Sequence, residues 1–267
     1  MQLVRWVVML LWILSDLHLD SSRGWDLPAI DTRPPFDVLV IAGDLTTRME
    51  RGVGWLRERI TDQPVIYISG NHEGYGTDWK ITINKARNAA ADSNIHVLQN
   101  DTLVIGDVTF AGATLWADFS LFGNQKRAMA HAGQVKNDYR KIRTRDYRYR
   151  LRPQDALAAN KQSRDFFTNV VRTKTTNKIC AVSHHGPAPA TAAPGIENDL
   201  ISAAYVNDEH ADLMKGIHTW IYGHTHETRD FMIGETRVVT NAKGYGPTRF
   251  STTWENRNFD PAFTIEI

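Results

Sequence analysis

The chain has 267 residues, of which 42% are hydrophobic and 23% are charged. A chain of this length buries roughly 70–75% of its extended surface on folding, so the composition excludes a disordered protein and calls for no disulfide staples. The balance of 31 Lys and Arg against 30 Asp and Glu excludes a global attraction to nucleic acid or to anionic membranes. Cys180 is the single cysteine, which excludes an internal disulfide and a thiolate zinc site and favours a reducing, cytoplasmic setting.

The N-terminal segment 3–14 is apolar except for Arg5, and it has two interpretations. It resembles the hydrophobic region of a signal peptide. However, it is too short to span a bilayer, and it leads without a small-residue cleavage site into Ser15-Asp16-Leu17-His18. We therefore expect a buried β-strand here, with a targeting segment as the alternative and Met9 as an alternative start.

Five short apolar runs, rich in β-branched and aromatic residues, punctuate the sequence. Such runs are typical of strands that are buried on both faces. In open α/β sheets, ligands bind outside the carboxyl ends of the strands, so we expect the five following turns to converge on one site. The runs and their turns are 12–14 before Ser15 to His18, 38–42 before Gly43-Asp44, 65–68 before Ser69 to Glu73, 179–182 before Ser183 to Gly186, and 218–222 before Gly223 to His226.

Helix and hairpin patterns fill the segments between these runs. Apolar spacing predicts helices over 77–91, 154–172 and 208–215. Alternation predicts strands over 95–113, with Asn100-Asp101 and Gly106-Asp107 as hairpin turns, and over 231–267, with Gly234-Glu235 as a turn. No linker, repeat or low-complexity tract divides the sequence, so we predict a single domain over residues 1–267.

The segment 126–152 is strongly basic. It contains ten Lys and Arg against two Asp, a net charge of +8, which leaves −7 for the rest of the chain. One interpretation is a solvated insertion. The other is a basic rim that steers phosphorylated substrates, with Arg143 and Arg145 as candidate substrate-binding residues.

Histidine and carboxylate side chains dominate the five turns. Side chains at positions i and i+2 of an extended segment share a face, so Asp16 and His18 can point together, as can His224 and His226. The donors are more numerous than one divalent ion ordinarily takes from a protein, and the Asp44 carboxylate can bridge two ions about 3.5–4 Å apart. Without a thiolate, this set favours Mn, Fe, Zn, Ni or Mg. The candidate ligands are Asp16, His18, Asp44, Asn71, His184, His224 and His226.

The order and spacing of these turns resemble the calcineurin-like metallophosphoesterases. The resemblance implies an α/β fold, a four-layer αββα sandwich of two packed mixed sheets flanked by helices, with the metal site in loops at the carboxyl ends of the strands. The motifs that carry it, across residues 16–226, are Asp16-x-His18, Gly43-Asp44, Gly70-Asn71-His72-Glu73, His184 and Gly223-His224-Thr225-His226. It implies two divalent metal ions, one held by Asp16, His18 and His226, the other by Asn71, His184 and His224, with Asp44 as the bridge.

The resemblance also implies roles for residues that do not bind metal. His72 would be the catalytic residue that faces the scissile phosphate, with Glu73 either orienting it or simply starting a helix. His185 is the alternative to His184 as a ligand and a candidate substrate contact. The reaction that the resemblance implies is hydrolysis of phosphate mono- or diesters. Metal coordination would supply the nucleophile, because it lowers the pKa of bound water from 15.7 towards about 7 and so provides hydroxide at neutral pH.

We expect a small-molecule phosphate ester as the substrate. The basic segment keeps a nuclease of the same superfamily, acting on DNA or RNA, as a less favoured alternative. Protein serine/threonine phosphatases carry Gly-Asp-x-x-Asp-Arg-Gly, and this chain departs from that motif after Gly43-Asp44, which argues against a phosphoprotein substrate. A non-catalytic interaction scaffold is a distant alternative, because every ligand position and His72 are filled.

Overall fold

The computed structural model of the protein describes residues 8–208 and 211–267. Within these residues the strands are β1 (Leu10–Leu14), β2 (Val38–Ile41), β3 (Val65–Ile68), β4 (Ile95–Leu98), β5 (Asp101–Ile105), β6 (Val108–Ala113), β7 (Arg143–Thr144), β8 (Tyr149–Arg150), β9 (Lys178–Ser183), β10 (Thr219–Ile221), β11 (Thr228–Ile233), β12 (Thr236–Asn241) and β13 (Thr264–Glu266). The helices are α1 (Met49–Arg57), α2 (Trp79–Ala89), α3 (Gln125–Val135), α4 (Asp138–Lys141), α5 (Pro153–Thr173) and α6 (Ala211–Met214).

Most of these strands belong to two mixed sheets. The first has the order β13-β1-β2-β3-β4, with β1 to β4 parallel and β13 antiparallel at the edge. The second has the order β11-β12-β10-β9-β6-β5, with antiparallel edges and a parallel centre. The parallel strands contain the apolar runs of the sequence, because a strand covered on both faces excludes polar side chains.

The two sheets pack face to face between two layers of helices. Successive side chains of a strand point to opposite faces, so Leu11 and Ile13 of β1 enter the core between the sheets. Trp12 and Leu14 enter the core that α1 and α2 cover, and Phe167 of α5 packs on the outer face of the second sheet. The expected αββα sandwich is confirmed.

Two of the predicted helices are present with small differences at their ends. The helix predicted over 77–91 is α2, which begins at Trp79 because the Asp78 carboxylate accepts the backbone N–H groups of Lys80 and Ile81. The helix predicted over 154–172 is α5, with Pro153 as its first residue. Of the helix predicted over 208–215, residues 209 and 210 lie outside the described residues, and α6 lies within the remainder.

The turn at Asn100-Asp101 does not close a hairpin. It connects β4, an edge of the first sheet, to β5, an edge of the second, so the chain crosses between sheets here. The turns at Gly106 and Gly234 do close hairpins, β5–β6 and β11–β12. Alternation predicts a strand and its turn but not the sheet that the strand joins, so the sequence could not separate these cases.

The basic segment folds into defined elements rather than an open loop. It contains most of α3, then α4 and the two-stranded ribbon β7–β8. α3 packs against α5 and against a 3₁₀ turn at Leu200–Ala204. No helix in the described part of the chain combines the length and the apolar character needed to cross a membrane. The single-domain interpretation stays a prediction.

Candidate metal centre

The turns that follow β1, β2, β3, β9 and β10 lie side by side. The Asp16 N–H donates to Gly43 O at 3.1 Å, which joins the first two turns. The Gly223 N–H donates to His184 O at 3.0 Å, and the His224 N–H donates to the Asp16 carboxylate at 2.9 Å. These bonds bring the two sheets' carboxyl edges to one place, where the chain gathers its carboxylates and imidazoles.

Asp44 lies between two groups of metal-capable side chains. Its Oδ2 is 3.4 Å from His184 Nε2 and 4.0 Å from His18 Nε2. The carboxylate is 1% exposed, and its Oδ1 accepts the His72 N–H at 2.8 Å, which fixes its orientation. An oxygen in this position can reach a cation on either side.

Asp16, His18 and His226 form the first group, each offering one ligand atom within 4.8 Å of the others. Asp16 Oδ1 is 3.3 Å from His226 Nε2, and the Nε2 atoms of the two histidines are 3.2 Å apart. Two atoms bound to one ion at about 2.1 Å can be at most about 4.2 Å apart. These donors are therefore close enough to share one ion.

The second group contains His184 and His224 together with Asp16 and Asp44, again within 4.8 Å of one another. Asn71 joins it through Oδ1, which is 3.0 Å from His184 Nε2. The structure thus brings all seven candidate ligands into one cluster.

Hydrogen bonds behind two of the imidazoles select the nitrogen that faces the cluster. His184 Nδ1 is 2.9 Å from Ala42 O, and His226 Nδ1 is 2.6 Å from Glu255 Oε2. Because carbonyl and carboxylate oxygens only accept, Nδ1 carries a proton in each ring, and Nε2 is the nitrogen that faces the site and can bind a metal. Sequence reasoning missed Glu255, which is 29 residues from His226 with no motif between them.

Burial and mutual attraction set the charges in the cluster. Burial alone would raise the pKa of Asp44, but the imidazoles of His184 and His72 hold that pKa well below its usual range. Burial alone would lower the pKa of His184, yet the carboxylates of Asp44 and Asp16 raise it to about 9. For His18 burial prevails over the pull of Asp44 and lowers the pKa to about 3. Asp44 is consequently an anion at neutral pH, ready to bind cations.

Five of the seven candidate ligands have left-handed backbone. Each such non-glycine residue costs about 1–3 kcal/mol and persists only where the surroundings enforce it, typically at functional sites. Gly43 has φ +88°, and a Cβ there would lie 2.6 Å from His184 Nδ1. The backbone conformation of the cluster therefore lowers the free energy of unfolding of the protein. The five residues, with φ between +46° and +69°, are Asp16, His18, Asp44, His224 and His226.

His72 lies beside Asp44 on the wall of an open cavity. Its Nε2 is 4.0 Å from Asp44 Oδ2 and 3.2 Å from the Tyr245 hydroxyl oxygen. Its ring stacks on Tyr75 with 4.1 Å between centroids, and its buried Nδ1 has no hydrogen-bond partner among the described residues. Nε2 is therefore the nitrogen placed to exchange a proton with a bound molecule.

The Glu73 carboxylate holds two ligand-bearing turns together by hydrogen bonds. Among the described residues, none of these bonds goes to the His72 side chain. The residue does lie in the first turn of a 3₁₀ helix, His72–Gly74, as one expectation had it, and its fully buried carboxylate serves the backbone of the turns after β2 and β3. Burial, and then the Asp44 carboxylate, raise its pKa to about 8. Its donors, at 2.8–3.0 Å, are the N–H groups of Asp44, Leu45 and Gly70 and the hydroxyl of Tyr67.

The basic segment contributes Lys136 and Asp138 to the cluster, and the sequence singled out neither. Asp138 Oδ1 accepts hydrogen bonds from Asn71 Nδ2 at 2.8 Å and from the Tyr75 hydroxyl at 2.7 Å. These bonds leave Asn71 Oδ1 turned towards His184. Lys136 Nζ is 3.5 Å from Asp138 Oδ2. One lysine among ten basic residues carries no distinguishing signal, so only the tertiary contacts identify it.

The three predicted substrate-binding residues, all in the described part of the chain, do not line the cavity above the cluster. His185 is 1% exposed, its Nδ1 lies 3.4 Å from Thr114 O, and burial holds its pKa well below the usual value. Arg143 begins β7, and Arg145, in the ribbon turn, lies 3.7 Å from Asp155. Their contact with substrate stays a prediction.

A cavity of about 690 Å³ opens above the cluster, a size typical of small-molecule sites. Its floor includes Asp44, Asn71, His224 and His226. Its walls combine aromatic, apolar and charged side chains, namely Tyr75, Tyr205, Tyr245, Val135, Ile196, Ile201, Lys136, Glu227, Glu255 and Arg257. The nitrogen and oxygen donors of the floor suit divalent ions of hard or borderline character, so the residues present fit a metal centre.

Comparison with known proteins agrees with this geometry. A family model described as Calcineurin-like phosphoesterase matches residues 9–228. The chain therefore belongs to the calcineurin-like phosphoesterase family, as the motifs indicated, and membership supports a metal-dependent phosphoesterase in general.

One curated protein and one solved structure illustrate how much of the chain is matched. The uncharacterized protein L509 of Acanthamoeba polyphaga mimivirus is 26% identical over 289 aligned positions that cover 95% of each chain. The crystal structure of the phosphopantetheinyl hydrolase PptH from Mycobacterium tuberculosis superposes with a TM-score of 0.68 at 21% identity, covering 88% of this chain and 89% of the other. At that identity the second likeness establishes a shared fold.

Proposed function

We propose that the protein hydrolyses small phosphate esters with two divalent metal ions. Asp16, His18 and His226 would hold one ion, Asn71, His184 and His224 would hold the other, and Asp44 would bind both. The position of Asp44 Oδ2 between His18 and His184 is the observation that carries this proposal. Bound divalent ions supply Lewis-acid activation of water and of the phosphoryl group.

His72 is the proposed general acid. Its Nε2 lies 4.0 Å from Asp44 Oδ2, and the residue lines the cavity. From there Nε2 can give its proton to the leaving oxygen, a role typically worth about 10²–10⁴-fold in rate. The Tyr245 hydroxyl oxygen lies 3.2 Å from Nε2, where a hydrogen bond between the two can orient the ring.

The cavity favours a small-molecule substrate over a nucleic acid. Nucleic-acid affinity depends largely on basic groups that neutralise backbone phosphates. Glu227 and Glu255 lie beside Arg257 in the cavity lining, and Arg143 and Arg145 do not contribute to it. A catalytic role is favoured over a scaffold because the proposed ligands and the proposed acid occupy one connected site.

Hydrolysis by the variant His72→Asn tests the catalytic part of this proposal. Phenyl phosphate is a suitable substrate, because its phenoxide leaving group needs a proton. We expect kcat to fall about 10²–10⁴-fold while the metal content of the purified protein stays equal to that of wild type. His131→Asn, which changes a histidine of α3 outside the cluster, is the matched control and should keep full activity.

Two results would contradict the proposal. One is wild-type turnover that survives complete removal of metal by a chelator. The other is a His72→Asn variant as active on phenyl phosphate as the His131→Asn control.

A further inference from the structure

Lys136 places a positive charge in the wall of the cavity, directly beside the metal-capable cluster. The side chain is 9% exposed, and the residue is part of the cavity lining. Nζ lies 3.1 Å from His224 Nε2 and 3.8 Å from the centroid of the Tyr205 ring. The residue follows the last turn of α3, so a rigid helix determines its position.

The partner of Lys136 within the protein explains its charge only in part. Asp138 is the nearest carboxylate, at 3.5 Å from Nζ. Its Oδ1 is engaged at shorter distances by Asn71 and Tyr75, at 2.8 Å and 2.7 Å. Asp138 Oδ2 is therefore the one carboxylate oxygen that pairs with the ammonium group among the described residues, and it holds Nζ at the edge of the cavity.

A cation in this place opposes the binding of other cations nearby. Like charges a few ångströms apart repel, and the repulsion is stronger in a buried site than in water. Lys136 therefore works against metal affinity at His224, and a neutral side chain could fill the same space. A positive charge at this point of the cavity wall is placed to attract an anion that enters the cavity.

The chemistry of phosphate esters indicates which anion that is. A phosphomonoester has three terminal oxygens and carries up to two negative charges. A phosphodiester has two terminal oxygens and one negative charge, because a carbon substituent occupies the third oxygen. A charged donor that contacts the third oxygen therefore distinguishes the two classes, since hydrogen bonds between charged groups are about twice as strong as neutral ones.

We propose that Lys136 binds a terminal phosphoryl oxygen of the substrate and gives the site a preference for phosphate monoesters over diesters. This inference rests on the proposed phosphoesterase function. It assigns to the basic segment one specific charge in the cavity, in place of the general basic rim that its composition suggested. The Lys136 ammonium group also lies over the face of the Tyr205 ring, which is itself part of the cavity wall.

The test compares wild type, Lys136→Met and Lys136→Arg on p-nitrophenyl phosphate and on bis(p-nitrophenyl) phosphate, which share a leaving group. In Lys136→Met we expect kcat/KM for the monoester to fall about 10–100-fold and that for the diester to change less than about threefold. Lys136→Arg keeps the charge and should retain most of the preference. Lys126→Met, which removes an exposed lysine of α3, should leave both substrates unaffected.

Binding of inorganic phosphate gives a readout that does not depend on turnover. Calorimetry with metal-loaded protein should show phosphate affinity about tenfold or more weaker in Lys136→Met than in Lys126→Met, at equal metal content. Lys136→Gln replaces the methionine variant if the latter does not fold. Weaker phosphate binding at unchanged metal content supports the inference.

Three results would overturn the inference. An unchanged monoester-to-diester ratio in an active Lys136→Met protein would refute it and leave the proposed function intact. Loss of bound metal in that variant would show that Lys136 only supports the Asp138 and Asn71 contacts. A wild-type protein that hydrolyses neither ester would refute the proposed function and the inference with it.

Discussion

Replacing the Asp44 carboxylate by an amide should abolish metal binding while it preserves the fold. In Asp44→Asn, an amide oxygen at the Oδ1 position can still accept the His72 N–H, which is 2.8 Å away in wild type. The amide nitrogen then takes the Oδ2 position, between His18 and His184. An amide nitrogen has no lone pair to offer a metal, so both groups of ligands lose their shared donor.

The size of the effect follows from ligand linkage. A ligand at one hundred times its Kd that binds only the native state stabilises it by about 2.7 kcal/mol. For a chain of this length, 1 kcal/mol shifts Tm by about 2–4 °C. We therefore expect saturating Mn²⁺ to raise the Tm of wild type by about 5–10 °C and that of Asp44→Asn by less than about 2 °C.

Thermal unfolding with and without Mn²⁺ measures this difference. Asp118→Asn is the matched control, because Asp118 is a buried aspartate outside the cluster that accepts the Ser120 N–H at 2.9 Å. Its own Tm will change, but its response to Mn²⁺ should equal that of wild type. A full Mn²⁺ response in Asp44→Asn would refute the reasoning that places Asp44 between the ions.

Three further predictions concern single side chains. Tyr245→Phe removes one hydrogen bond to His72, so kcat on phenyl phosphate should fall about 5–10-fold. The leaving group of 2,4-dinitrophenyl phosphate needs no proton, so kcat on that substrate should stay unchanged. Equal losses of kcat on both substrates would contradict this prediction. Gly43→Ala should lower the free energy of unfolding in urea by about 2–4 kcal/mol, whereas Gly54→Ala in helix α1, where nothing lies within 4 Å of the new Cβ, should be neutral or stabilising. Burial raises the pKa of the Cys180 thiol, so a thiol-specific reagent should label it only when the protein unfolds. Rapid labelling under native conditions would contradict the placement of Cys180 in β9.

The fold and the ligand cluster could be predicted because both leave local patterns. Strands buried on two faces appear as apolar runs, and the turn after each run has to carry any residue that serves a site at the sheet edge. Asp16 with His18, and His224 with His226, are close in sequence as well as in space. The motifs therefore predicted a cluster that the folded chain does assemble.

The supporting residues could not be predicted because their partners are distant in sequence. Glu255 fixes the His226 imidazole, and Asp138 fixes the Asn71 amide across 67 positions of the chain. Glu73 was visible within a motif, but its role depends on backbone N–H groups that only the folded turns present to it. Contacts of this kind follow from topology and leave no local spacing to detect.

The net charge of the basic segment did not predict how the segment folds or which of its residues reach the cluster. Its net charge suggested either a solvated insertion or a basic rim, and the folded segment is a helix, a helical turn and a ribbon. Its contributions to the cluster are one lysine and one aspartate. Net charge sums over residues, whereas a site depends on the position of each charge.

The most direct test is a metal titration in which bound metal and turnover are measured on the same sample. Protein stripped by a chelator is titrated with Mn²⁺, bound metal is determined by mass spectrometry, and turnover of p-nitrophenyl phosphate is recorded at each point. We predict no turnover without metal and maximal turnover when two ions are bound per chain. Full turnover by the stripped protein, or maximal turnover with a single ion bound, would contradict a catalytic centre that Asp44 shares between two ions.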